Sequence, residues 1–232
     1  MNVKKKISVL GDSISTFEGY SEPKDAVFYD MAKKLSSGVL RCADTWWGQV
    51  VEGLEGELLT LNAISGSTVC GGPRYEAETY GCSDLRTSSL GRESVDPDVI
   101  LVYLGTNDWG RGTPLRPEEG SEADPTCFFL SAYDLMLKKL KGNYPKAEIC
   151  AFTLARSRFD AAKGFTFPFS YGGRHIEEYC EVIRTCALRN DCRLVDLYRT
   201  AEPYDTIDGF HANASGMTAI ASAVLSLLKS AD

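Results

Sequence analysis

The chain has 232 residues, 44% hydrophobic and 25% charged, enough for one large α/β domain or two small ones and a mix that argues against disorder. Its formal net charge is −7, with no Lys/Arg cluster beyond Lys4-Lys5-Lys6, which argues against nucleic acid as a partner and against a patch for anionic membranes. Eight cysteines occur without a C-x-x-C pair, and the only histidines are His175 and His211, so metal-ligand spacing is absent.

At the start, MNVKKKISVL offers only four apolar positions before Gly11 and Asp12. That is too short for a secretory apolar segment, and no later stretch reaches the length of a membrane-spanning helix, so the sequence reads as cytoplasmic. Ile7 to Leu10 followed by Gly11 has the form of a buried strand closed by a tight turn, and that turn carries Ser13. Four further strand-length apolar runs follow: ELLTLNAI (57–64), DVILVYLG (98–105), AEICAFTLA (147–155) and CRLVDLY (192–198). Helical patterns separate them. They begin after Asp44, after Ser83 and after Asp124, then run from Gly173 through Arg189, and a last one follows Asn213, a natural N-cap. Strict alternation predicts a parallel sheet with helices on both faces, and the absence of any linker predicts a single domain over 1–232. Three irregular segments, 17–43, 106–124 and 155–172, are long for a compact domain and are expected to roof a site.

The residues that carry chemistry fall at the same end of this scaffold. Ser13 follows strand 1, Gly66 follows strand 2 in LNAISGST, Asn107 follows strand 3 in LGTND, and Asp208 and His211 follow strand 5 in DGFHANASG. All lie beyond carboxyl ends, where open α/β sheets bind ligands. With strand order 2-1-3-4-5, Ser13, Gly66 and Asn107 meet at the switch point. Strand 5 stands about 14 Å away, a gap that the residues after Tyr198 span when extended.

A serine hydroxyl is a weak nucleophile until a base takes its proton, and a histidine oriented by a carboxylate is the usual solution. Asp208 and His211 supply that pair. The N–H groups of Ser13 and Gly66 and the amide of Asn107 suit an oxyanion. Each residue alone also has a plainer reading, Ser13 as a helix cap and Asp208 and Asn107-Asp108 as turn residues. His175 has no carboxylate at a comparable spacing. Glu177 and Glu178 read as first-turn charges beside it, and His175 is expected on the surface or in a substrate loop.

Four blocks, Gly11-Asp12-Ser13, the Gly66 block, Gly105-Thr106-Asn107-Asp108, and Asp208-x-x-His211 with Asn213 and Gly216, stand in the order of the SGNH hydrolases, also called GDSL-type esterases and lipases, which this chain resembles over its whole length. The resemblance implies Ser13 as nucleophile, His211 as base, Asp208 as its orienter, and Gly66 and Asn107 as oxyanion donors. It also implies a flavodoxin-like three-layer α/β/α fold with a five-stranded parallel sheet, no metal or organic cofactor, and hydrolysis of ester or thioester bonds. The chain departs from the commonest pattern in Ile14, where Leu is usual, and in the long segment 17–43.

The expected substrate is a small ester with a short acyl group, or an acylated carbohydrate; a lysophospholipid or thioester, or a binding role without catalysis, are further alternatives. Trp46 and Trp47 read as core or loop anchors ahead of a sugar platform. FTFPFSYGG (165–173) reads as an edge segment or, preferably, one wall of an acyl pocket. Arg74 and Arg111 are candidates for an anionic substrate group. Cys150 and Cys192 read as small buried hydrophobes, whereas Cys70 and Cys82 flank a Gly-rich loop, where exposure or a disulfide is conceivable.

Overall fold

The computed structural model describes residues 4–22, 24–71, 79–159 and 164–230. Five short strands form one parallel sheet: β1 (Lys6–Gly11), β2 (Glu57–Ala63), β3 (Val99–Tyr103), β4 (Glu148–Phe152) and β5 (Arg193–Val195). Their order is β2-β1-β3-β4-β5, as the sequence predicts. Among the described residues eight α-helices accompany this sheet: α1 (Met31–Ser37), α2 (Trp46–Gly53), α3 (Asp84–Ser88), α4 (Thr106–Gly110), α5 (Phe129–Asn143), α6 (Ile176–Arg189), α7 (Leu197–Thr200) and α8 (Ala214–Lys229).

Side chains alternate across a strand, so each central strand feeds two cores. Ile7 and Val9 of β1, Leu101 and Tyr103 of β3 and Phe152 of β4 pack with α2 and α8 through Trp46, Trp47, Val50, Met217 and Ile220. Leu10, Ile100, Val102 and Ala151 face the other way, onto Phe129, Tyr133 and Met136 of α5 and Tyr179 and Ile183 of α6. Both faces are covered, which is why these strands read as unbroken apolar runs. Each fully buried large side chain, such as Leu101 or Ile100, contributes about 1.5–3 kcal/mol by leaving water.

Several boundaries differ from the sequence reading. The run 192–198 ends as a strand at Val195, because the Asp196 carboxylate caps α7 by accepting from the Arg199 N–H and is gripped by Arg184, at 2.8 and 2.9 Å. The cap of α2 is Thr45, whose hydroxyl accepts from the Gly48 N–H at 3.0 Å, and not Asp44. After Asp124 a single 3-10 turn precedes α5, which starts only at Phe129. Segment 17–43 is not featureless, since it holds α1 and a 3-10 turn at Lys24–Ala26. Among the described residues no helix is long and apolar enough to cross a membrane.

The last helix starts as the sequence predicts, with the Asn213 side chain accepting from the Gly216 N–H at 2.9 Å. Gly216 is required there by close approach: a methyl group would overlap the carbonyl of Asp205, which accepts the Asn213 N–H. Gly216→Ala should therefore lower Tm by roughly 2–10 °C, the cost of overpacking a tight contact. An unchanged melting curve would contradict this account of the helix entry.

Candidate active site

Ser13 sits in the turn that leaves β1. Asp12 shapes that turn: its carbonyl accepts from the Ser15 N–H at 3.0 Å, and its Oδ1 accepts from the Ile14 N–H at 3.1 Å. The turn is anchored from below by the two tryptophans of α2. Trp46 Nε1 donates to Ser15 Oγ at 3.2 Å and Trp47 Nε1 donates to the Ser15 carbonyl at 2.9 Å. Both indoles are buried, which makes them core anchors rather than a sugar platform.

The second loop lies between β5 and α8. Asp208 Oδ1 accepts from the backbone N–H groups of Phe210 and His211, at 3.0 and 2.8 Å, and its Oδ2 stands 2.7 Å from His211 Nδ1. His211 Nε2 in turn stands 2.9 Å from Ser13 Oγ. Partial burial tends to raise the Asp208 pKa, but the bonds from the His211 ring and from the two backbone N–H groups win and hold it at about 2. Nδ1 therefore faces a carboxylate at neutral pH, which fixes Nε2 as the acceptor toward Ser13.

Gly66 and Asn107 lie on the two neighbouring strand ends, next to each other. Asn107 Nδ2 donates to the Ser67 carbonyl at 2.9 Å, and Arg111 Nη2 donates to the Gly66 carbonyl at 2.9 Å. Asp108 completes the grip by accepting from the Val69 and Cys70 N–H groups at 2.8 and 3.1 Å. One short helix, α4, thus holds the backbone from Gly66 to Cys70. Gly66 itself has φ +75°, a conformation that favours glycine. Among the described residues, the N–H groups of Ser13 and Gly66 have no protein acceptor.

Arg86 binds these strand ends together from inside. It is buried and donates to the carbonyls of Gly11, Asn62 and Thr79 and to Ser67 Oγ, at 2.6–3.1 Å. Burial lowers its pKa to about 10, so it stays cationic at neutral pH. Sequence reasoning missed this residue, because a charged residue in a short polar helix looks solvent-facing.

It also missed Phe28. This ring lies parallel to His211, with centroids 3.4 Å apart and planes at 10°. The aromatic segment 165–173 packs against α4 and the loop that carries His211. Phe167 stacks on Trp109 of α4, and Tyr171 touches both Trp109 and Phe210.

The remaining candidates fall outside this cluster. His175 caps α6, its Nδ1 accepting from the Glu177 N–H at 3.1 Å. Cys70 and Cys82 are free and buried, which corrects the exposure considered for them. Cys150 is buried and Cys192 partly so. Arg74 lies outside the described residues.

Comparisons with known proteins identify the family and the fold. A family model for GDSL-like lipase/acylhydrolase matches residues 5–160, and the chain belongs to that family of ester-bond hydrolases. A solved structure from Bacteroides ovatus described as a GDSL-like lipase is 25% identical, covers 99% of this chain and 100% of its own, and superposes with a TM-score of 0.74. A second, from Bacteroides uniformis, is 26% identical over 98% of this chain and 96% of its own, with a TM-score of 0.71. A carbohydrate acetylesterase from Sinorhizobium meliloti shares the fold at 14% identity, covering 99% and 100% of the two chains with a TM-score of 0.64. No curated protein matches in sequence.

Two buried carboxyls beside the site make a testable signature. Burial pushes Asp12 up to about 7, only partly offset by the Ile14 N–H, and pushes Asp108 up to about 6 against its bonds from Val69 and Cys70. The folded state of such a group keeps a proton that the unfolded chain has lost above its ordinary value of 3.8. Its contribution is therefore complete below that value and is lost as pH rises to the folded pKa of about 7. Asp12→Asn, which mimics the protonated form, is expected to raise Tm at pH near 8, with the gain over wild type shrinking toward pH near 5. Equal gains at the two pH values would show that Asp12 does not titrate in this way.

Proposed function

We propose that the protein is a serine esterase working through Ser13, His211 and Asp208. The observation that carries this reading is the continuous hydrogen-bonded run Asp208–His211–Ser13, 2.7 Å and 2.9 Å long in its two links. His211 Nε2 takes the hydroxyl proton as Ser13 Oγ attacks the ester carbonyl carbon, and the Asp208 carboxylate supports the imidazolium that forms. The carbonyl oxygen becomes an oxyanion that the N–H groups of Ser13 and Gly66 and the Asn107 amide bind. His211 then hands its proton to the departing alkoxide, the alcohol leaves, and Ser13 holds the acyl group. Water, activated by the same histidine, attacks the acyl carbon and restores the hydroxyl.

The acyl group is proposed to be short. The wall made by Trp109, Phe167, Tyr171 and Phe210 supports this, because close-packed aromatic rings beside the Asn107 helix confine the space available. An acylated carbohydrate is the second reading, supported by the fold shared with the Sinorhizobium meliloti carbohydrate acetylesterase. No step calls on a metal ion or organic cofactor.

p-Nitrophenyl esters of increasing acyl length test both catalysis and pocket size. Acetyl and butyryl esters should show the higher kcat/KM, and a preference for dodecanoyl esters would overturn the short-acyl reading. In the same assay His211→Ala should lower kcat by roughly six orders of magnitude, as loss of a triad base does. His175→Ala should leave kcat nearly unchanged and cost only about 1 kcal/mol in stability through its lost cap. Comparable kcat losses in the two variants would mean that the base has been misassigned.

A further inference from the structure

The segment around Phe28 is tied to the Ser13, Gly66 and His211 loops of the site. The Phe28 N–H donates to Thr16 Oγ1 at 2.9 Å, and that hydroxyl donates to the Ser13 carbonyl at 2.9 Å. The Ala26 carbonyl accepts from the Ser65 N–H at 2.7 Å, one residue before Gly66. The Tyr29 hydroxyl donates to the Ala212 carbonyl at 2.7 Å, one residue after His211. Three loops of the site are therefore braced against residues 26–29, and Phe28 is the side chain this strap delivers onto the His211 ring.

The geometry of that contact is specific. Two neutral aromatic rings prefer an offset or edge-to-face arrangement over a sandwich. Phe28 and His211 instead lie face to face, with centroids 3.4 Å apart and planes at 10°. A flat sandwich becomes favourable when one ring is a cation over the negative face of the other. In the esterase chemistry His211 becomes that cation when it takes the serine proton. The contact also restricts motion. Turning the imidazole about its Cβ–Cγ bond would drive ring atoms out of plane into Phe28, and the same turn would swing Nε2 off Ser13 Oγ. Lys33 Nζ lies 5.2 Å from the centre of the Phe28 ring, a contact that helps hold this ring in place.

We propose that Phe28 is a positioning residue for the esterase chemistry: it locks the His211 ring in the plane that meets Ser13 and favours its imidazolium form. This rests on the esterase reading. Phe28 touches the histidine and not the reacting atoms, so its effect belongs in kcat rather than in substrate binding.

The test compares Phe28→Leu, Phe28→Tyr and His211→Ala on p-nitrophenyl acetate, together with Tm and the proton NMR signals of the histidine rings. Phe28→Leu keeps the bulk and loses the aromatic face, so kcat should fall about 3- to 30-fold with KM within about twofold. Phe28→Tyr should restore most of the rate. In the wild type the stacked ring should shift the His211 carbon-bound protons upfield, and Phe28→Leu should release them downfield. His175→Asn assigns the two histidines. Full kcat in Phe28→Leu, or an equal loss in Phe28→Tyr, overturns the proposal. Should Phe28→Leu fail to fold, the wild-type spectrum and the Phe28→Tyr rate decide: unshifted His211 protons, or a poorly active Phe28→Tyr, count against it. If His211→Ala itself keeps its turnover, the esterase reading falls; if that variant is dead while Phe28→Leu is fully active, only the role of Phe28 does.

Discussion

The arrangement depends on one hydrogen bond, between His211 Nε2 and Ser13 Oγ at 2.9 Å. It joins residues 198 positions apart in the chain, and no local propensity favours it. The fold has to bring a strand end near the start of the sequence to a loop near its finish, and hold both to within a few tenths of an ångström. The order β2-β1-β3-β4-β5 leaves β1 central and β5 at the far edge, so the loop after β5 must cross the carboxyl ends of the intervening strands. The cap at Asn213 and the close contact of Gly216 with Asp205 fix where that crossing ends.

Around that bond, several buried polar side chains are tied to the backbone of the site loops. Asp12 shapes the Ser13 turn, Arg86 gathers the carbonyls of Gly11 and Asn62 at two strand ends and that of Thr79 in a loop, and Asp108 accepts two backbone N–H groups. Burying a charge costs several kcal/mol unless it is paired or hydrogen-bonded. Part of that cost persists in the raised pKa values of Asp12 and Asp108. What is obtained in return is rigidity around the Ser13 and Gly66 N–H groups and the Asn107 amide, the donors proposed for an oxyanion, where preorganisation has most effect on rate.

Much of this was legible in the sequence. Apolar runs of strand length separated by capped helices specify a doubly covered parallel sheet, and Ser13, Gly66, Asn107, Asp208 and His211 stand out because each follows a strand at its carboxyl end. What could not be read depends on contacts distant in sequence between residues with no local pattern. Phe28 follows a 3-10 turn too short to show a period, and its partner is 183 residues away. Arg86 has the composition of an exposed helical residue, and only the convergence of Gly11, Asn62, Ser67 and Thr79 explains its burial. The strand expected to run to Tyr198 stops at Val195 because Arg184, on another element, holds Asp196 as a helix cap.

The central claim is that Ser13 carries the acyl group between the two halves of the reaction. Acid quenching in the first turnover on p-nitrophenyl acetate, followed by peptide mass spectrometry, tests it most directly. The account predicts one acetyl group on the peptide containing Ser13, formed together with a burst of p-nitrophenolate equal to the enzyme present, and neither in Ser13→Ala. An acetyl group on a different residue, or a burst that survives in Ser13→Ala, would contradict it.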